Sequence, residues 1–151
     1  MSELQWISPV RIIDVSLLGV SFDIDEAYSN EKVDLSFTIN FSSGEYEELE
    51  NELACRYIFE DILTWEIKES GNKAYGASCK VGIYISVPNE SLREFDENEK
   101  KQYLSANAVS LAYGKIRSTL ENITAETPIG KQILPTIAPY DFLASLKPTN
   151  E

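Results

Sequence analysis

The chain contains no histidine, a single methionine and only two cysteines in 151 residues. The missing histidine excludes Ser-His-Asp and Cys-His nucleophilic sites and removes the commonest metal ligand of proteins. The two cysteines, Cys55 and Cys79, have neither metal-ligand spacing nor the number needed for a disulfide framework. No glycine-rich phosphate loop is present, since Gly71, Gly76 and Gly82 mark a hairpin and a strand. We therefore expect neither an enzyme nor a cofactor or metal site.

Basic residues and long apolar runs are also scarce. Thirteen lysines and arginines face 25 acidic residues, a net charge of −12, which disfavours nucleic acid and anionic membranes as partners. The acidic surplus favours basic partners, including basic stretches of unfolded chains, although solubility alone also explains it. No apolar run approaches the roughly 18 residues of a membrane span, and MSELQWISPV lacks the regions of a signal peptide. We expect a cytoplasmic protein with one domain, residues 1–151.

Four segments alternate apolar and polar residues with the period of a β-strand. They cover residues 10–24, 33–41, 53–68 and 79–87. In the first segment the alternation changes phase at Leu17–Leu18, which predicts a β-bulge. The segments are joined by short or polar connections, so they predict an antiparallel sheet with one buried face.

Between the second and third strands, residues 44–52 carry five glutamates and predict a solvated connection that is partly helical. Both cysteines fall on the apolar face of a strand, so we expect buried, reduced thiols unless the two strands bring them into register. Asp61 is the one acid on the apolar face of the third strand. A bulge or a sheet edge that returns Asp61 to solvent is the favoured interpretation over a functional acid in a pocket.

A long amphipathic helix is predicted from Asp96 to Ile123, with Asp96 and Glu99 forming a capping box. Small residues in its middle suit close contact with the sheet or with a second subunit, and they also suit an ordinary helix surface. Residues 127–130 end the helix, a proline-rich crossover follows, and Pro139 begins a short helix that Lys147–Pro148 ends. The predicted fold is α+β: a four-stranded antiparallel sheet covered by one long helix and a short C-terminal helix.

This order of elements resembles the SecB family of protein-export chaperones over residues 9–146. The resemblance rests on VSLLGVSFDI, CKVGIYISV and above all AYGKIRSTL…LPTIAPYDFLASL. It implies an ATP-independent holdase, assembled as a dimer of dimers, that binds unfolded or pre-secretory polypeptides. The client-binding residues that it implies are Ile133, Leu134, Ile137, Tyr140 and Phe142 near the C-terminal end and Phe37, Phe41, Tyr57, Phe59 and Trp65 on the sheet. For any one of these ten residues, core packing is the favoured role. The crossover residues are the better candidates, because an apolar loop is harder to bury than one face of a sheet.

Departures from the family pattern affect its docking on the SecA motor. Asp23 matches one expected acid of the docking face, but Gly19 and Ala77 stand where other acids are expected. The alternative is therefore a SecB-like chaperone dedicated to an antitoxin or another single protein. Two further hypotheses are a module that binds one folded partner and a small enzyme that uses Asp61 or Tyr84, which the absence of histidine disfavours.

Overall fold

The computed structural model describes residues 8–25, 31–127 and 129–146, and these form an α+β fold, as predicted. Pro128, Lys147 and Pro148, which were expected to help end the two helices, lie outside the described residues. None of the described helices is long and apolar enough to span a membrane. The elements are β1 (Arg11–Ile24), β2 (Val33–Ser43), β3 (Glu47–Leu49), β4 (Glu52–Ile67), β5 (Lys73–Pro88), a short 3-10 helix (Asn89–Leu92), α1 (Glu97–Ala125) and α2 (Pro139–Ser145).

The described strands form one antiparallel sheet in the order β1-β5-β4-β2, with β3 paired to the start of β4. The sequence predicts four strands, and β3 is a fifth. It lies inside the glutamate-rich segment, where the prediction of a partly helical connection is wrong. Asn51 has a φ of 64° and completes a tight turn that lets Glu47–Leu49 fold back onto β4. Asparagine tolerates this left-handed conformation better than most residues.

The predicted bulge in β1 is confirmed, because the pairing of β1 with β5 shifts between Leu17 and Gly19. A second shift, between Ile12 and Asp14, is not evident in the sequence. The two shifts keep apolar residues of β1 on the same face of the sheet as the buried residues of β5. The alternation after the phase change predicts that Leu18 shares a face with Val20 and Phe22, but Leu18 lies over Gly82 on the opposite face.

The core lies between one face of β4 and β5, which we call the inner face, and α1. Cys55 and Cys79 are buried and free, as expected. Although their strands are adjacent, Cys55 pairs with Ile85 and Cys79 pairs with Asp61, so the thiols are far out of register for a disulfide. The largest fully buried side chains are Tyr57, Phe59, Leu63, Ile85, Leu92, Leu104, Ile116, Leu120, Leu134, Val81, Val87 and Val109.

The start of α1 is fixed by the capping box that the sequence predicts. Oδ1 of Asp96 accepts a hydrogen bond of 2.8 Å from the backbone N–H of Glu99. In return, Oε1 of Glu99 accepts one of 3.0 Å from the backbone N–H of Asp96. The pair satisfies two N–H groups that a helix start otherwise leaves without an intrahelical acceptor. The helix begins at Glu97 and continues to Ala125, two residues beyond the predicted end.

Replacing Asp96 with alanine removes this cap, and we expect the free energy of unfolding to fall by about 1 kcal/mol. Urea denaturation at equilibrium measures the change. Asn98→Ala, at an exposed position in the same helical turn, is the matched control. Equal losses of stability in the two variants would contradict the role of the capping box.

Candidate functional site

The short helix α2 packs against α1, and a cluster of aromatic rings joins it to the inner face of β2 and β4. The ring of Phe142 lies 6.2 Å from that of Phe41 and 5.8 Å from that of Phe59, measured between centroids. Phe41 in turn stacks on Tyr57 at 5.4 Å. Rings in these tilted and offset arrangements attract one another beyond the burial of their area. Phe142 therefore positions α2, which begins with Pro139 as predicted.

Next to this cluster, apolar side chains of β2 and α2 remain accessible. Tyr140 is 51% exposed, and Phe37 and Leu146 are 42% and 41% exposed. A cavity of about 420 Å³ lies at the edge of β2 beside the end of α2. Its lining includes Ile39, Phe41 and Leu146, together with Ile58 from the opposite face of the sheet. We call the set Phe37, Ile39, Phe41, Tyr140 and Leu146 the β2–α2 surface.

The β2–α2 surface adjoins an end of the sheet. Among the described strands, β2 pairs only with β4, so its other side has no strand partner. An end strand presents a row of backbone N–H and C=O groups to which an extended polypeptide can add. Asn40, Glu60 and Lys80 supply polar groups to the wall of the same cavity. The site therefore combines backbone hydrogen-bonding groups with a cavity whose walls are partly apolar and partly polar.

The crossover, residues 131–138, is extended and attached to α1 at two points. The hydroxyl of Tyr113 donates a hydrogen bond of 2.6 Å to the carbonyl oxygen of Pro135. The backbone N–H of Gln132 donates one of 2.8 Å to Oγ1 of Thr124. Between the two attachment points, Leu134 is 2% exposed whereas Ile133 is 68% exposed. Attachment of the backbone thus fixes which apolar side chain of the crossover faces solvent.

The ten predicted client-binding residues divide into three groups by burial. A buried residue cannot touch a partner in this conformation, so the four buried ones serve the core and support their neighbours. Trp65 also lies apart from α2, since its ring stacks on Tyr75 at 4.7 Å. Leu146 and Ile39 belong to the cavity but were missed, because nothing local in the sequence places them side by side. The exposed residues are Ile133, Tyr140 and Phe37, the half-buried ones Ile137, Phe41 and Phe142, and the buried ones Leu134, Tyr57, Phe59 and Trp65.

A second apolar strip lies on the inner face of β1. Ile12, Leu17 and Val20 pair with buried residues of β5, yet all three are at least 40% exposed. The reason is that α1 packs mainly on β5 and β4. Among the described strands β1 pairs only with β5, so this strip also adjoins an end of the sheet. The sequence shows the apolar residues of β1 but not that the helix leaves them uncovered.

Asp23, Gly19 and Ala77, the residues at the positions matched to the SecA-docking acids, do not all lie on one face of the sheet. Asp23 is exposed on the outer face and forms a 3.0 Å ion pair with Nζ of Lys73. Gly19, opposite Lys80, also lies on the outer face. Ala77 is buried on the inner face between Phe22 and Leu63, so comparing it with an outer-face acid is wrong.

Asp61 does not return to solvent, which corrects the sequence-based expectation. It lies on an interior strand and is paired in regular register at this position with Cys79 on β5 and Ile39 on β2. The residue is 1% exposed, and neither carboxyl oxygen has a hydrogen-bond partner among the described residues. Burial disfavours the charged form and raises the pKa of Asp61 to about 7. Tyr84, the other residue of the enzyme hypothesis, donates to Glu47 on the outer face, so the two cannot form one active site.

We expect Asp61 to make stability depend on pH. The folded chain binds this proton more tightly than the unfolded chain, whose pKa stays near 3.8, so stability falls as pH rises toward about 7 and then levels off. Between pH 5 and pH 8, the free energy of unfolding of the native chain should fall by up to about 3 kcal/mol more than that of Asp61→Asn. Urea denaturation across this range measures the difference, with the exposed-site variant Glu66→Gln as control. Parallel curves for Asp61→Asn and the native chain would show that the carboxyl is not perturbed.

No family model and no curated protein matches the chain. Several solved structures share its architecture, among them two that span most of this chain. One is the SecB-like chaperone Rv1957 of Mycobacterium tuberculosis, in complex with a ChAD peptide from the antitoxin HigA1 (Rv1956). Its TM-score is 0.56 at 15% identity, over 85% of this chain and 91% of the chaperone. The other is a protein of unknown function from Streptococcus agalactiae, with a TM-score of 0.52 at 9% identity, over 84% of this chain and 97% of that protein. At these identities the likeness establishes the fold, and the fold is SecB-like.

Proposed function

We propose that the chain is an ATP-independent molecular chaperone that binds unfolded or aggregation-prone polypeptides in the cytoplasm. The observation that carries the proposal is the β2–α2 surface, where exposed apolar side chains and a cavity of about 420 Å³ adjoin an unpaired strand edge. The SecB-like fold adds support, because the solved chaperone with this fold has a peptide bound.

Binding would proceed by strand addition. An extended client segment pairs its backbone with β2, and its apolar side chains enter the cavity beside Leu146. Backbone pairing is indifferent to sequence, and apolar contact contributes about 25 cal/mol for each Å² that is buried. Such a site can bind many different clients, each through backbone pairing with β2 and apolar contact in the cavity.

The functional unit is proposed to be a homo-oligomer, a dimer of dimers. The inner face of β1 supports this, because Ile12, Leu17 and Val20 are exposed beside a second unpaired edge. A second copy of the chain would cover this strip and leave the β2–α2 surface, at the other end of the sheet, free for clients.

A second candidate function is a chaperone dedicated to one protein, such as an antitoxin. The peptide held by Rv1957 comes from an antitoxin, which favours this reading. Delivery of clients to SecA has less support, because Asp23 is paired with Lys73 and Gly19 offers no carboxylate. Aggregation assays on several unrelated unfolded proteins separate the two candidates, since a dedicated chaperone protects only its own partner.

The double variant Tyr140→Ser with Leu146→Ser should suppress aggregation of a chemically unfolded substrate only at a roughly tenfold higher concentration than the native chain. Both side chains are exposed, so truncating them leaves no cavity in the core. Light scattering of the substrate, with and without ATP, measures the effect.

The matched control is Leu18→Ser with Ile62→Ser, which removes equally exposed apolar groups from the outer face. This control should suppress aggregation as well as the native chain does. The proposal is falsified if the native chain binds no unfolded substrate, or if the control loses as much activity as the double variant.

The substitution Tyr113→Phe should release the crossover without disturbing the core. It removes the 2.6 Å hydrogen bond to Pro135, worth about 1 kcal/mol, and leaves the ring in place. Amide hydrogen exchange of residues 133–137, measured by mass spectrometry, should become roughly fivefold faster. Tyr103→Phe on the same helix is the control. Unchanged exchange in the crossover would mean that burial of Leu134 and the hydrogen bond from Gln132 to Thr124 hold it without Tyr113.

A further inference from the structure

A small cavity between α1 and the crossover has the chemistry of an anion site. Its volume is about 210 Å³, below the roughly 300 Å³ at which sites for drug-sized molecules begin, and enough for one side chain. The hydrogen bond from Tyr113 to Pro135 joins the two elements beside it. The residues that line it are Ser110, Tyr113, Gly114 and Arg117 of α1 and Thr136 and Ile137 of the crossover.

Arg117 is the charged residue of this cavity, and no acid in the described part of the chain forms an ion pair with it. This is unexpected in a chain with 25 acidic and 13 basic residues. Its Nε is shielded from solvent and donates to no acceptor among the described residues. A buried donor without an acceptor is destabilising, and nearly all buried donors in native proteins have one, so Arg117 is expected to have a partner that the described residues do not supply.

The chemistry of the cavity points to a carboxylate as that partner. A guanidinium group offers parallel N–H donors that match the two oxygens of a carboxylate, and the hydroxyl groups of Ser110 and Thr136 can donate as well. The net charge of −12 opposes the approach of acidic ligands in general. A carboxylate should therefore bind this chain only beside a specific cation. Arg117 is such a cation, so it would select ligands that carry a carboxylate.

Building on the proposed chaperone function, we infer that this cavity binds an aspartate or glutamate side chain of the client, with Arg117 as its counter-ion. Ile137 lines the cavity and belongs to the crossover that also exposes Ile133, so an apolar client segment on the crossover places a neighbouring residue at the cavity. The preferred client thus carries an acid next to apolar residues.

Gly114 provides a way to close the cavity without harming the fold. A Cβ atom added there would meet nothing within 4 Å, and the residue lies inside α1. Leucine at this position has a higher helix propensity than glycine and extends into the open space that the cavity adjoins. Gly114→Leu is therefore a blocking variant that should fold at least as well as the native chain.

The test uses fluorescent peptides of eleven residues, the length of β2, which are identical except for a central Glu, Gln or Lys among apolar residues. Anisotropy should show that the native chain binds the Glu peptide roughly tenfold more tightly than the Gln peptide. Arg117→Gln and Gly114→Leu should each bring the affinity for the Glu peptide down to that for the Gln peptide. Lys115→Gln, which removes an exposed charge two residues away, should keep the preference.

The inference is overturned if the native chain binds the Glu and Gln peptides with equal affinity. It is also overturned if Arg117→Gln still prefers the Glu peptide, or if light scattering shows that Arg117→Gln forms a smaller assembly than the native chain. The last result would assign Arg117 to a contact between copies of the chain. Failure of every peptide to bind any variant would instead reject the chaperone function itself, so the two failures are distinguishable.

Discussion

Packing of α1 on β4 and β5 determines how the remaining surface of the protein is used. A helix with its side chains is about 10 Å wide, which matches two strands spaced at about 4.8 Å. The sheet has four long strands, so one helix leaves a strand uncovered on each side of it. On one side α2 covers part of β2 through Phe142, and on the other β1 keeps Ile12, Leu17 and Val20 exposed. Both accessible apolar surfaces therefore arise from the difference in width between sheet and helix.

Features that depend on neighbours along the chain could be predicted from the sequence. Alternation with period two identified the long strands, and the spacing of Asp96 and Glu99 identified the helix start. Features that depend on lateral pairing could not. The bulge after Ile12 and the short strand β3 exist because of their partners, β5 and β4. Asp61 was misjudged for the same reason, since only the sheet order shows that its strand is interior.

The candidate site was predictable in composition but not in geometry. The crossover is visibly apolar in sequence, yet the burial of Leu134 and the exposure of Ile133 depend on attachment to Tyr113 and Thr124. Tyr113 and Thr124 lie 22 and 8 residues before their partners in the sequence, so no local pattern indicates these attachments. Arg117 likewise looks like an ordinary surface residue until the crossover is placed beside it.

The unpaired edge of β2 has a consequence for the kind of molecule it can recognise. In a folded protein nearly all backbone N–H and C=O groups are already paired, so few remain to bond with a strand edge. An unfolded chain offers every one of them. The edge thus discriminates between conformational states of a client and not between residue types, and a client that folds withdraws its own backbone. Release can then follow from folding of the client, without any energy supplied by the protein that held it.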